Sequence, residues 1–375
     1  MMKIVADDKI PFLKGVLEPF ADVIYLPGKE IDNKILKDAD ALITRTRTRC
    51  NAALLKNTGL KFIGTATIGY DHIDTAFCDT NAITWTNAPG CNSSSVGQYI
   101  AAAILRISGK FKYKLKNKTL GIVGVGNVGS KVEKLARTLE MNVLLNDPPR
   151  ERAEGEGKFV SLEQVLMESD IVTVHVPLNL TGTDCTLNLF NENSFRMMRK
   201  GTWFINTSRG EVTDTIALKN AIDSGKLMGT VTDVWEKEPD IDTELMEMAF
   251  ISTPHIAGYS TDGKANGTSM IVNSLCKFFN LPLTDWTPDN IPDPAVPVIL
   301  INCTGKTDED VMREAVLHTY NIDDDSLKLK RKPSEFEKQR GDYPLRREFP
   351  AYTVILKGGT RNTRMMLRNL GFKVG

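Results

Sequence analysis

The sequence predicts an α/β chain with two parallel-sheet domains and a small C-terminal α+β domain. Three observations carry that expectation. Short apolar segments recur near the start, with helical stretches between them. A second strand–helix alternation begins at Thr119 and supplies six strand segments in succession. A stretch rich in proline and aspartate, TDWTPDNIPDPAVPVIL, then marks a boundary near Trp286.

The bulk numbers agree. A chain of 375 residues is too long for one comfortable core, so two or three domains are expected. Apolar residues make up 41% and charged residues 25%, ordinary values for a globular protein. Lys plus Arg equals Asp plus Glu at 47 each, which gives no bulk drive toward nucleic acid or acidic membranes. Neither is expected as a partner. The six cysteines, Cys50, Cys78, Cys91, Cys185, Cys276 and Cys303, form no CxxC pair. Buried reduced thiols are expected rather than a metal site or a disulfide scaffold. No stretch reaches the roughly 20 apolar residues that cross a bilayer, so the expected location is cytoplasmic.

Taken in order, Lys3–Ala6, Ala41–Thr44, Phe62–Thr65 and Ile83–Thr86 read as strands, with Asn51–Lys56 helical. A longer helix is expected from Ser93 to Ile107. Its serines suit an N-cap, Val96, Ile100, Ala103, Ile104 and Ile107 share one face, and Gly109 is the expected stop. The second series is TLGIVGVG, MNVLLND, SDIVTVHVP, GTWFINTS, MGTVTDV and FISTPHI, the rhythm of a doubly wound nucleotide-binding sheet. Beyond Trp286 come PVILINCTG, a helix DEDVMREAVLHTY, a charged stretch SLKLKRKPSEFEKQRGDY, a strand FPAYTVILKG and a last helix TRNTRMMLRNL. This part has no catalytic motif of its own, which suits contacts between subunits.

Gly124-Val125-Gly126-Asn127-Val128-Gly129 matches GxGxxG, follows an apolar strand and opens a helix. The first glycine permits a tight turn, the second lets backbone approach a pyrophosphate, and the third permits close helix–strand packing. Phosphate charge would sit at the helix N-terminus. The next strand ends at Asp147, whose carboxylate suits the ribose hydroxyls of NAD and repels the 2′-phosphate of NADP. Arg150 nearby would blunt that preference. NAD is the expected cofactor.

Three polar residues follow later strands: Arg209 after FINTS, Glu238 after TDVWEK and His255 after ISTP. Ligands of open α/β sheets bind beyond the strand C-termini, so these residues can converge. A histidine with an ordinary pKa near 6.5 exchanges a proton with a hydroxyl. A carboxylate on its other nitrogen fixes the tautomer, and an arginine holds a carboxylate. Singly, each is more often a surface or loop residue. The upstream nucleotide motif favours their joint role in hydride transfer at C2 of a hydroxy acid. His72, His175 and His318 are poorer bases, and His175 reads as structural.

GIVGVGNVG, NTSRGEVTD, VTDVWEKEP and TPHIAGY in this order resemble the signature series of the D-isomer-specific 2-hydroxyacid dehydrogenases, over about residues 1–285. The resemblance implies two Rossmann-like or flavodoxin-like domains and catalytic roles for Arg209, Glu238 and His255. Cofactor contacts would include Gly124, Gly126, Asn127, Val128, Gly129, Asp147, Val176, Thr207, Ser208, Arg209, Asp233 and Gly258. Substrate contacts would be Thr46, Thr67 and Tyr259, with threonine at 46 where serine is more usual. Glutamine at 98, where related enzymes often have glutamate, excludes an acid there.

NAPGCNSSSVGQYI, NDPPR and TPHIAGYSTDGKANGT, with the long C-terminal region, resemble the branch that oxidises 4-phospho-D-erythronate in vitamin B6 biosynthesis. That implies a substrate-binding domain of residues 1–95 and 258–285, an NAD-binding domain of 96–257 and a homodimerising domain of 286–375. Alternatives are a relative acting on 3-phosphoglycerate or D-lactate, or a non-catalytic NAD-sensing interaction protein. Arg45, Arg47 and Arg49 alternate along ITRTRTRCN and would face one side of an extended segment, with Arg45 or Arg47 taking the substrate phosphate. Arg346 and Arg347 in YPLRREF could reach a neighbouring subunit's cleft, a placement that the sequence leaves open.

Overall fold

The computed structural model describes residues 1–155 and 157–375. The chain forms two compact units, residues 1–92 with 260–292 and residues 93–259 with 293–375.

In the first unit the strands are β1 (Lys3–Asp7), β2 (Asp22–Leu26), β3 (Ala41–Thr44), β4 (Phe62–Thr65) and β5 (Thr84–Thr86). They form one parallel sheet in the order β2-β1-β3-β4-β5. The four apolar segments read from the sequence are all strands. The sequence reading missed β2, DVIYL, because it is an edge strand whose residues stay partly exposed. The helix Thr261–Phe278 covers this sheet. A Cβ at Gly64 would lie 2.5 Å from the Ile271 side chain, so glycine lets the helix approach β4.

The second unit carries β6 (Thr119–Val123), β7 (Asn142–Asn146), β8 (Ile171–Val174), β9 (Thr202–Asn206), β10 (Leu227–Thr232) and β11 (Ile251–Ser252). All are parallel, in the order β11-β10-β9-β8-β6-β7. The order reverses at β6, which opens a crevice beyond the carboxyl ends of β6 and β8. All six segments of the second series are strands.

The helix Ser93–Phe111 belongs to this unit and is buried over most of its surface. Gly109 does not end it, contrary to the sequence expectation. A Cβ there would lie 2.7 Å from Arg313 Nε, so the glycine serves close packing inside the helix.

The C-terminal part shares the second unit but has its own parallel sheet of β12 (Val298–Asn302), β13 (Thr353–Lys357) and β14 (Lys373–Val374). Its helix Asp308–Thr319 packs on the helix Ser93–Phe111, and Arg361–Leu370 packs on Asn127–Thr138. Side chains alternate along β12: Ile299 and Ile301 point inward, while Val298 and Leu300 are exposed.

All six cysteines are free. The expectation that all are buried fails at Cys185, which is exposed, and at Cys303, which is half-buried. Among the described residues no helix is long and apolar enough to cross a membrane.

Candidate active site

The glycine motif occupies the turn from β6 into the helix Asn127–Thr138, and each glycine has a distinct reason. Gly124 has φ +86°, and a Cβ on it would lie 2.6 Å from the His175 carbonyl oxygen. Gly129 packs so tightly that its Cβ would lie 2.1 Å from Gly124 O. Gly126 is different: no protein atom lies within 4 Å of where its Cβ would be. It is also the N-cap, with no side chain bonded to the first amides of the helix. Open space against uncapped N–H groups is what a pyrophosphate needs, so these residues fit NAD.

Asp147 lies just beyond β7. Its carboxylate accepts the Val125 N–H at 2.8 Å and the Arg150 N–H at 3.1 Å, which ties the glycine turn to the next strand. The Arg150 guanidinium is committed to Glu154 at 2.5 Å and to the Val125 carbonyl. Its charge is thus spent locally, beside the Asp147 carboxylate.

Three loops beyond β9, β10 and β11 carry the chemical residues. Asn206 shapes the first by accepting the Ser208 N–H at 2.9 Å and donating to Arg209 O at 3.0 Å. Gly210 then lies against the second loop. A Cβ there would be 2.0 Å from the Trp235 carbonyl carbon, so only glycine lets the Arg209 and Glu238 loops meet. Trp235 donates its indole N–H to Thr253 O at 2.9 Å, joining the second loop to the third.

His255 and Glu238 meet directly: Nδ1 lies 2.8 Å from Oε2. Glu238 also accepts the Trp235 N–H at 3.0 Å through Oε1. Burial pushes its carboxyl up, but the charge and hydrogen bond of His255, the Arg340 charge and the Trp235 amide outweigh that and hold it below its ordinary value. An ionised Glu238 can only accept, so Nδ1 donates and Nε2 is left to exchange a proton. His255 has φ +55°, a left-handed conformation that a side chain other than glycine rarely adopts.

Asp233 holds that strained turn. It accepts the Ile256 and Ala257 N–H groups at 2.8 and 2.9 Å and the Thr253 hydroxyl at 2.6 Å. Its carbonyl takes the His255 N–H at 2.7 Å. This buried carboxylate, expected as a cofactor contact, braces the loop that carries His255.

Thr207 contacts His175 Nδ1 at 3.3 Å, and Thr173 contacts Nε2 at 3.0 Å, so both His175 nitrogens are engaged. Burial pushes the His175 imidazole down to about 3. Ser208 is buried on Asn206 at 2.8 Å, and Val176 and Gly258 are half-buried.

In the first unit, Thr67 follows β4 and contacts the Thr65 hydroxyl at 2.7 Å. Thr46 is exposed in the turn after β3. The alternating arginines are not on an extended segment. Residues 45–48 form a turn, in which the Thr48 N–H donates to Arg45 O at 3.5 Å and the Thr48 hydroxyl to Gly28 O at 3.0 Å.

The C-terminal part reaches the His255 loop from its own chain. Arg346, whose placement the sequence left open, is 4% exposed. It donates to Ile256 O at 3.1 Å, Ala257 O at 2.6 Å and the Ser95 hydroxyl, with its guanidinium 4.5 Å from the Tyr320 ring centroid. Arg347 is anchored through its backbone, whose carbonyl accepts the Gln98 amide at 2.9 Å. Arg340 lies 4.0 Å from Glu238 Oε2 and 5.7 Å from the Tyr259 ring centroid. Sequence reasoning missed Asn206, Gly210, Trp235 and Arg340. Only Gly210 carried a signal, as a glycine directly after Arg209.

Residues 100–257 match the NAD binding domain of the D-isomer specific 2-hydroxyacid dehydrogenases, and residues 293–371 match a domain of unknown function, DUF3410. The chain is 51% identical over 356 residues to erythronate-4-phosphate dehydrogenase of Bacteroides thetaiotaomicron, covering 94% of this chain and 99% of the relative. Identity to the enzyme of the same name from Proteus mirabilis is 38% over 374 residues, with 99% of each covered. A solved D-lactate dehydrogenase from Aquifex aeolicus, complexed with NAD and lactic acid, superposes with a TM-score of 0.62 at 27% identity, covering 74% of this chain and 95% of that one. The chain belongs to the erythronate-4-phosphate dehydrogenase family, within the D-isomer-specific 2-hydroxyacid dehydrogenases.

Proposed function

We propose that this protein oxidises 4-phospho-D-erythronate to its 2-oxo acid, in vitamin B6 biosynthesis in the cytoplasm. The observation that carries the chemistry is the 2.8 Å contact between His255 Nδ1 and Glu238 Oε2. NAD, when bound, supplies the acceptor for the C2 hydride. Arg209 holds the substrate carboxylate with its fork of donors. His255 Nε2 takes the C2 hydroxyl proton as the C2–H bond breaks and the C2–O bond becomes a carbonyl. Glu238 stabilises the imidazolium so formed.

Residues 96–257 bind NAD in this reading, and residues 1–95 with 258–285 bind substrate through Thr46, Thr67 and Tyr259. The 4-phosphate goes to Arg45 or Arg47, which stand beyond β3, at the sheet edge where ligands of this fold class bind. Both guanidiniums also lower the pKa of the nearby Asp7 carboxyl, whose net shift is upward because burial dominates. Residues 286–375 make a homodimer. The support is an uncovered apolar patch on the C-terminal sheet, where Val298, Leu300 and Ile355 are 44, 73 and 44% exposed.

The test is NADH formation from 4-phospho-D-erythronate and NADH consumption with its 2-oxo acid. Turnover on 3-phosphoglycerate or D-lactate, with none on the phosphorylated erythronate, would overturn the substrate. NAD binding without turnover on any of these acids would overturn the enzyme reading.

A further inference from the structure

The match to a domain of unknown function leaves open what residues 293–371 contribute besides an outer surface. Their path past the catalytic loop gives an answer. The helix Phe336–Gly341 carries Arg340, most of whose side chain is buried. Its Nη1 is 4.0 Å from the same Glu238 oxygen that pairs with His255. Glu337 holds Arg340 from its own helix at 3.0 Å, and the Tyr259 and Phe336 rings each lie 5.7 Å from the guanidinium carbon. The charged and titratable groups facing the Arg340–Glu238 contact are therefore His255, Tyr259 and Glu337. Asp233 stands behind the loop, occupied by the Ile256 and Ala257 amides.

We propose that Arg340 is a positioning residue of the active site, through which the C-terminal domain sets the charge balance of the Glu238–His255 pair. The inference rests on the dehydrogenase reading of that pair. A lone buried carboxylate beside an imidazole would bind the proton too firmly, since nothing offsets its negative charge. A guanidinium on the same oxygen shares that charge. Glu238 stays ionised, and the imidazolium that forms during oxidation can release its proton again. Further tethers hold this part of the chain in place: Gln98 donates to the Thr319 hydroxyl at 3.0 Å and to Arg347 O, and Arg346 donates to the carbonyls of Ile256 and Ala257.

The readout is the acid limb of kcat/KM for oxidation, which reports the coupled pair. Arg340→Met should move that limb to higher pH by about half a unit to one unit, because a nearby positive charge is lost. Arg340→Lys should keep it near the wild-type position. Glu337→Gln, a milder change on a side chain 45% exposed, frees more of the arginine's charge for Glu238 and should move the limb slightly the other way. It also keeps the test alive if Arg340→Met does not fold. An unmoved limb in both variants, with activity merely lowered, would overturn the proposal. A raised KM for the phosphorylated substrate with no shift would overturn it too, by making Arg340 a substrate contact. Wild-type protein inactive on every hydroxy acid would instead sink the dehydrogenase reading, which separates the two failures.

Discussion

The Asp233 carboxylate accepts the Ile256 N–H at 2.8 Å, one residue beyond His255, so a buried side chain at the end of β10 fixes where the His255 imidazole stands. Asp233→Asn replaces an acceptor with an amide whose NH₂ can face the Ile256 or Ala257 N–H. The expected cost is about 1–3 kcal/mol of stability, together with a fall in kcat. A thermal melt beside steady-state kinetics checks it. Unchanged turnover would show that the loop holds without this brace.

Glu238→Gln keeps the shape of the site and removes the counter-charge of the imidazolium. The acid limb of the oxidation profile should move to lower pH, the opposite direction from Arg340→Met, and kcat should fall about tenfold or more. His255→Asn removes the base and should lower kcat by about 10²–10⁴-fold. Both are measured with NAD binding followed in parallel, since neither residue lies in the glycine turn.

The glycines give a paired prediction. Gly126→Ala adds a methyl group where no protein atom lies within 4 Å, so stability should hold while the NAD Kd weakens. Gly129→Ala drives a Cβ to 2.1 Å from Gly124 O, so the unit itself should lose stability. Melting temperature and NAD titration together separate the two outcomes. Equal loss of stability in both variants would contradict the assignment of Gly126 to the cofactor.

Acid sensitivity should follow from two histidines kept neutral by burial. Burial pushes His175 down to about 3 and His72 down to about 4, against about 6.5 in the unfolded chain. As pH falls below about 6.5, the unfolded chain binds protons that the folded one refuses. Stability therefore falls with pH, by up to about 1.4 kcal/mol per unit for each histidine. For His72 the loss ends near 4 and for His175 near 3. Denaturant midpoints of His175→Gln between pH 7 and 4 should decline less steeply than those of the wild type.

The outward face of the C-terminal sheet gives the last prediction. Leu300 is 73% exposed and lies opposite Ile355 across the β12–β13 pair. With the proposed homodimer built on this face, the wild type should run as a dimer and Leu300→Lys as a monomer in light scattering, with NAD affinity kept. A dimer of unchanged mass would move the interface elsewhere.

Strands of the nucleotide type were legible because both faces of the sheet are buried, so runs such as IVTV and TWFIN are continuously apolar. The Arg209, Glu238 and His255 positions were legible because their motifs occur in a fixed order after strands. The edge strand β2 was not, since partial exposure erases its apolar signal. The turn at 45–48 misled the reading of the arginines, because nothing local in TRTRTR reveals that the Thr48 hydroxyl is bound to the distant Gly28 carbonyl. Arg340 and Arg346 sit in charged stretches that look like solvated surface. Only the tertiary fold shows their guanidiniums turned inward against loops far away in sequence.

Gln98 sits buried on the helix Ser93–Phe111, and its amide NH₂ donates to the Thr319 hydroxyl at 3.0 Å and to the Arg347 carbonyl at 2.9 Å. A carboxylate at 98 has no hydrogens to offer there. The position has become a rivet, and stripping away residues 293–375 would remove both of its partners. The same cut would uncover the flank of Ser93–Phe111 on which Asp308–Thr319 packs, so the last segment of the chain cannot be dropped without refitting the helix beneath it.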